Sequence, residues 1–319
     1  MNTLDLLRLN LVTPMTLCFA LGVIARLVKS DLKLPTGAYS MLAIYLLLAI
    51  GLKGGAAIAK SPASELLMPV TGAIILGSLI PLAVFAVSRK VGRLETVDCA
   101  ALAAHYGSVS AVTFIACLAF LTELKASVEG FAPALVTVME VPGIVVGLLL
   151  AKRASGSGLK GALQEIVTGK SIILMAGGLV IGILTGPLGY ASVEPFFVQP
   201  FKGALCIFLL DMGLMAASRL AEIRNSGWFV AALGIIGPIV LGVTGALVGR
   251  LCGLSVGGCT VLATLSASAS YIAAPAAVRI ALPEANPSIY LGAAVGVTFP
   301  FNLAFGIPLY YSVASMLAK

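Results

Sequence analysis

Two stretches of the chain place small hydroxyl-bearing residues where lipid would favour Leu and Ile. Ala104 to Thr113 reads A-H-Y-G-S-V-S-A-V-T, and Thr264 to Pro275 reads T-L-S-A-S-A-S-Y-I-A-A-P. The first lies inside an apolar run from about Val97 to Leu121, and roughly 20 such residues cross a bilayer. A helix interrupted at that depth leaves backbone N–H and C=O groups unpaired, unless a ligand, water or a neighbouring helix satisfies them. It also presents half-helix ends, N-termini favouring anions and C-termini favouring cations. The expected chemistry is therefore ion binding. Gly107, Ser108, Val109, Ser110, Ala111 and Thr113 would line the first interruption. Ser266, Ser268, Ser270 and Tyr271 would line the second, where Pro275 bars regular helical bonding. The competing reading of the same residues is tight helix packing by small side chains.

Acids at membrane depth are costly and are functional candidates by default. Asp98, Glu140 and Asp211 fall in apolar runs, and Glu140 precedes Pro142, where backbone carbonyls can also be free. A carboxylate with carbonyls and hydroxyls suits a hard cation such as sodium. Asp98, Glu140, Asp211 and Asn302, just after Pro300, form the candidate sodium set. The alternatives are an interfacial helix cap for Asp98 and helix-to-helix pairing for Glu140 and Asp211. His105, the single histidine, fits either a pH-coupling role or a hydrogen-bonded structural one.

The elements that must position these residues follow from composition. The chain has 319 residues, 60% hydrophobic and 10% charged, with a mean hydropathy of +1.09. Soluble domains carry about 25% charged residues. The fold class is an all-α polytopic membrane protein, because long continuous apolar runs replace the short alternating segments of a β-barrel. Ten spans are expected, near 12–28, 37–53, 66–88, 97–121, 131–151, 171–188, 201–218, 227–252, 256–281 and 288–316. Trp228, Tyr310 and Tyr311 near span ends fit an interfacial aromatic belt. The first helix is expected to remain in the mature protein, since no signal-peptide pattern precedes it.

Residues 152–169, with Ser155-Gly156-Ser157-Gly158, read as a linker between two halves, 1–151 and 170–319. Val138-Met139-Glu140-Val141-Pro142 aligns with Gly296-Val297-Thr298-Phe299-Pro300, and Ser110-Ala111-Val112-Thr113 with Ser268-Ala269-Ser270-Tyr271. Leu48-Ala49-Ile50-Gly51-Leu52 similarly matches Leu210-Asp211-Met212-Gly213-Leu214. Five spans per half force the second half into the membrane inverted, the plan of secondary transporters. Thirteen of the 20 Lys and Arg residues fall on the side of Arg89, Lys90 and Arg93. The positive-inside rule makes that side cytoplasmic and both termini external, in a cell or inner membrane.

Composition excludes other classes. The net charge of +7 resides in short loops and sets topology, so nucleic acid is not an expected partner. The six cysteines form no C-x-x-C pair, and no phosphate loop, dinucleotide fingerprint or nucleophile–base pair occurs. Neither enzymatic activity nor a resident cofactor is expected. Outside coupled transport, the remaining alternative is a passive anion channel or membrane sensor, whose pores also use broken helices.

Several motifs resemble the sodium-dependent bicarbonate transporter family, best known from cyanobacteria. They are Thr96-Val97-Asp98, Gly107-x-Val109-Ser110 with Thr113, Ile50-Gly51-Leu52-x-Gly54-Gly55, Met212-Gly213, Ser218-Arg219 and Pro238-Ile239-Val240. The most specific is Pro283-x-Ala285-Asn286-Pro287-Ser288, flanked by Arg279 and Tyr290-x-Gly292. The resemblance implies ten spans in two inverted repeats, divided into core and gate domains. It implies sodium-coupled uptake of bicarbonate, a homotrimer, and in cyanobacterial members an inhibitory partner resembling PII signalling proteins. Other small carboxylates or inorganic anions, with proton coupling through His105, form the alternative within the class.

The chain departs from that pattern at the candidate site. Ser110-Ala111-Val112-Thr113 stands where the family has Ser-Gly-Ser-Thr, and Tyr271 where it has Asp. Ala273-Ala274 replaces Ser-Gly, Glu140 replaces Asp, Asp211 replaces an apolar residue and Met215 replaces a Glu. The linker is also shorter. These changes bear on ion coupling and on the regulatory partner.

Overall fold

The computed structural model describes residues 3–155, 164, 168–223 and 227–318. Most of the expected linker, including Gly156-Ser157-Gly158 and Lys160, lies outside them, as does Arg224. All regular structure among the described residues is helical. After a short α1 (Thr3–Leu11) come α2 (Pro14–Leu27), α3 (Thr36–Ile58), α4 (Ala63–Lys90), α5 (Thr96–Gly107), α6 (Ala111–Glu123) and α7 (Ala132–Ser155). Then follow α8 (Lys170–Val198), α9 (Phe201–Ile223), α10 (Trp228–Leu251), α11 (Val256–Ser266) and α12 (Ala274–Ala281). A last helical stretch, α13, covers Pro287–Leu317 and contains two π-helical turns, Gly292–Thr298 and Asn302–Gly306.

Eight stretches among the described residues are long and apolar enough to cross a membrane, with α5 and α6 together forming one. The helices α2 and α11 are apolar but shorter. The chain is a multi-pass membrane protein. Burial is uneven among the stretches. In the most apolar window of Thr96–Glu123, 94% of residues are buried, against 28% in the α8 window. The segment richest in Ala and Ser is therefore the centre of the fold, and the Leu- and Ile-rich α8 faces outward.

Local sequence explains the element ends. Thr13 caps α2 by accepting from Thr16 N–H, and Pro14 follows at the first turn, where its missing N–H costs nothing. Ser255 caps α11 through Gly258 N–H, and Asn286 with Pro287 opens α13 in the same way. Two expected ends were too early. The second span runs on to Ile58 because Gly54 and Gly55 are packing surface rather than a stop. The sixth runs on to Val198 because Gly186, at φ 60°, kinks the helix before Pro187 instead of ending it. Tyr310 is not part of an interfacial belt; it is fully buried, with its hydroxyl bonded inside the protein.

The first set of helix contacts joins α3 to α8 and α2 to α9. The second joins α4, α5 and α7 mutually, and α10, α11 and α13. The first set is joined by glycine, since with no hydrophobic drive between helices in lipid, close backbone approach supplies the attraction. A Cβ on Gly22 would fall 2.0 Å from Leu210 O, and one on Gly213 would fall 2.1 Å from Phe19 O. At the other pair, a Cβ on Gly55 would lie 2.2 Å from Leu179 O, and one on Gly182 2.4 Å from Leu52 O. Gly213→Ala is expected to lower stability by about 1–3 kcal/mol through backbone overpacking. Gly177→Ala, where nothing lies within 4 Å of the added carbon, should be neutral or slightly stabilising. Thermal unfolding in detergent, read by intrinsic fluorescence, separates the two, and equal melting temperatures would contradict the packing described.

Candidate functional site

The helix α5 stops at Gly107, and α6 starts at Ala111. Ser108 and Ser110 between them are extended, at ψ 167° and 109°. The helix α11 stops at Ser266, and α12 starts at Ala274. The two gaps touch. Ser110 N–H donates to Ser268 Oγ at 2.9 Å, and Ser270 N–H donates to the His105 carbonyl at 2.7 Å. Each gap thus supplies an acceptor to a backbone N–H of the other.

Hydroxyls restart the helices. Ser110 Oγ caps α6, accepting from Thr113 N–H at 3.1 Å and from Thr113 Oγ1 at 2.9 Å. Ser270 Oγ accepts from Ala274 N–H at 3.2 Å at the head of α12. Two acceptor bonds fill the lone pairs of Ser110 Oγ and leave its own proton available. Ser268 Oγ donates to Leu265 O at 2.8 Å, and Ser266 Oγ to Leu262 O at 2.8 Å. Ser266 is thereby held on its own helix.

The helix α7 closes one side. Its glycines bring its backbone against the end of α5, where a Cβ on Gly143 would meet the Gly107 carbonyl carbon at 1.9 Å. A Cβ on Gly147 would sit 2.5 Å from Ala104 N. One turn before Gly143 is Glu140, only 3% exposed. A cavity of about 10 Å³, the room of one water centre, is lined by Val109, Ser110, Ala111, Glu140, Ser270, Tyr271 and Ile272. Glu140 Oε2 and the Tyr271 hydroxyl are buried there without a hydrogen-bond partner. The Ser110 and Thr113 side chains lie close to that hydroxyl, and the Tyr271 ring packs edge-on to Phe299 at 5.4 Å. Ser108 Oγ and His105 Nε2 are likewise buried and unpartnered.

The other acids of the candidate cation set lie elsewhere. Asp98 is in the first turn of α5, about nine residues or roughly 13 Å of helix before the gap. Its Oδ1 accepts from Asn286 N–H at 2.8 Å, a bond from α5 to the residue that opens α13. Asp211 is half-buried on α9, within electrostatic reach of the Tyr39 phenol. Asn302 serves the second gap, its Nδ2 donating to Ala267 O at 2.8 Å and its Oδ1 accepting from Tyr310 at 2.7 Å. No group of three His, Cys, Asp or Glu side chains positioned for a metal ion occurs among the described residues. His105 Nδ1 bonds Ala101 O at 2.8 Å, and its ring lies 4.6 Å from that of Tyr290.

Two contributors were not found in the sequence. Tyr106 OH and Thr298 Oγ1 are 2.6 Å apart, and Thr298 Oγ1 donates to Gly234 O at 3.0 Å. That carbonyl is the one Pro238, four residues on, cannot serve. Asn10 Nδ2 reaches Leu303 O at 2.6 Å and Ala304 O at 3.2 Å, the carbonyls that Pro308 leaves open across a π-helical or α-helical turn. The signal available in sequence was the proline four or five residues downstream of each acceptor. Replacing Asn302 with Leu would strand Ala267 O and the Tyr310 hydroxyl, at about 1–3 kcal/mol each. Asn302→Leu should therefore unfold at a clearly lower temperature than Ser312→Ala, which loses only a bond to Pro308 O; matching melting curves would refute this role.

The gap between α5 and α6 and the gap between α11 and α12 are thus bonded to each other around a small polar cavity. No curated protein matches the chain. A family model described as the Na+-dependent bicarbonate transporter superfamily matches residues 14–315, nearly the whole chain, and the protein belongs to that superfamily.

Proposed function

We propose that the protein is a secondary active transporter that takes up bicarbonate coupled to sodium, by alternating access between two inverted five-helix repeats. The observation that carries the reading is the pair of mutual bonds between the gaps, Ser110 N–H to Ser268 Oγ and Ser270 N–H to His105 O, beside a buried Glu140 with a free oxygen. Superfamily membership supports an anion substrate and a role other than enzyme catalysis.

The helix pairing supports the repeat. Exchanging α2 with α8 and α3 with α9 turns the α3–α8 pair into the α9–α2 pair. The same exchange maps the α4, α5, α7 cluster onto α10, α11, α13. Gly51 faces Met175 O and Gly178, while its counterpart Gly213 faces Phe19 O and Gly22. Gly77 meets Met139 as Gly234 meets Val297. In this reading the domains are 1–151 and 170–319, both termini are external, and the linker is cytoplasmic. The eight helices α4–α7 and α10–α13 form the core, and the glycine-joined α2, α3, α8 and α9 form the gate against which it rocks.

The site separates donors from acceptors. The Ser110 and Tyr271 hydroxyls, with the first N–H groups of α6, offer donors to an anion. Glu140 Oε2 is the open acceptor for the cation. Substrate entry requires the gaps to part, since their bonds now leave room for about one water. Labelled bicarbonate uptake into proteoliposomes, at fixed pH and membrane potential, should require an inward sodium gradient. Glu140→Gln should reduce sodium-driven uptake by about tenfold or more, equivalent to roughly 1.4 kcal/mol, and Ser110→Ala should weaken it. Uptake indifferent to the sodium gradient, in folded protein, would sink the sodium-coupled reading; a panel of small carboxylates would then define the cargo.

A further inference from the structure

A groove of about 310 Å³ runs between α4 and α10, on the outer face of the cluster that holds the candidate site. Val84, Val87 and Val91 line it from α4, and Phe229, Leu233 and Ile236 from α10. Apart from the Trp228 indole N–H, no lining side chain is polar. From Trp228 to Val240 the groove follows twelve residues of helix, roughly 18 Å. Half of a bilayer's hydrocarbon thickness is about 15 Å. Its depth is therefore that of one leaflet.

One end of the groove is basic. The C-terminus of α4 and the turn after it carry Arg89, Lys90 and Arg93, all exposed. The groove reaches that turn directly, because a Cβ on Gly92 would lie 2.5 Å from the Phe229 ring. Arg89 is committed, its Nη1 donating to Leu94 O at 2.7 Å and pinning the turn. Lys90 and Arg93 make no salt bridge among the described residues. The acids that follow are Glu95, at the cap of α5, and Asp98, turned to Asn286. Trp228, 74% exposed, stands at the same end, where an indole favours the headgroup level.

We propose that this groove binds one anionic phospholipid, with an acyl chain between α4 and α10 and the phosphate at Lys90 and Arg93. An apolar slot one leaflet deep, ending at two free cations, matches an amphipathic anion with a long tail. A zwitterionic lipid would bring the same phosphate with a choline cation that Lys90 and Arg93 repel, and free phosphate would use the charges without the slot. Basic pockets between membrane helices recognise acidic headgroups in this way.

The test is native mass spectrometry of the full-length protein, released from detergent with phosphatidylglycerol or phosphatidylcholine of matched chains. Phosphatidylglycerol should be retained at one per chain and preferred by about tenfold or more. Lys90→Gln with Arg93→Gln, both on the surface, should erase the preference while leaving the melting temperature unchanged. Ala232→Trp, which fills the groove from α10, should abolish retention of either lipid. Inorganic phosphate should not compete. The proposal falls if both lipids bind equally to the wild type, if the double variant keeps the preference, or if inorganic phosphate displaces the lipid. It also falls if Ala232→Trp leaves lipid bound and instead dissociates an oligomer, since a second copy of the chain would then occupy the groove.

Discussion

The fold depends on satisfying backbone groups where helices stop inside apolar surroundings. An unpaired N–H or C=O there costs several kcal/mol, so each interruption needs named partners. Ser110 N–H uses Ser268 Oγ, Ser270 N–H uses the His105 carbonyl, and Ala267 O uses Asn302. Neither gap is viable without groups from elsewhere, and two of these three bonds are supplied by the opposite gap. The gaps therefore form together. The same need recurs at prolines: Thr298 serves the carbonyl opened by Pro238, and Asn10 serves those opened by Pro308.

Against that accounting, the unserved groups gain meaning. The proposed repeat pairs Glu140 with Thr298. Thr298 is bonded to Tyr106 and to Gly234 O. Glu140 Oε2 has no partner, and the neighbouring Tyr271 hydroxyl has none. The second half spends its polar atoms on structure, through Thr298, Asn302 and Tyr310. Glu140, from the first half, is left unpaired beside the Tyr271 phenol of the second.

Much of this was legible in the chain, for physical reasons that also mark where reading fails. The two hydroxyl-rich runs stood out because lipid-facing helices rarely carry them, and they lie at the buried centre. Ser110 was legible as lining the first run, but its capping of α6 was not. Gly51 and Gly213, aligned in the chain, each bring backbone against a neighbouring helix. Asp98 shows the limit. Its residue type fitted a cation site and a cap equally, while its bond to Asn286 N–H, 188 residues away, is not visible in local sequence. Gly186-Pro187 looked like a helix end, yet a glycine at positive φ lets the axis bend and continue. Tyr310 resembled a belt residue because local sequence does not reveal that Asn302, eight residues before it, needs its hydroxyl.

Packing links these static bonds to motion. Glycine contacts fix α2 to α9 and α3 to α8 at backbone distance, so each pair moves as a unit. Gly143 and Gly147 fix α7 to α5 equally closely, which ties Glu140 to the first gap. Between the two sets the contacts are fewer, chiefly α9 with the π-helical part of α13 and α7 with α3 and α8. The π-helical turns lie at that seam and hold extra residues within helix that two prolines already interrupt. A stretch with fewer regular bonds deforms at lower cost than an unbroken helix. Displacement of one set against the other would concentrate there and leave the glycine-joined pairs and the Glu140–Ser110 geometry intact. The cation and anion groups would then travel together, which is the condition for coupling one ion's movement to the other's.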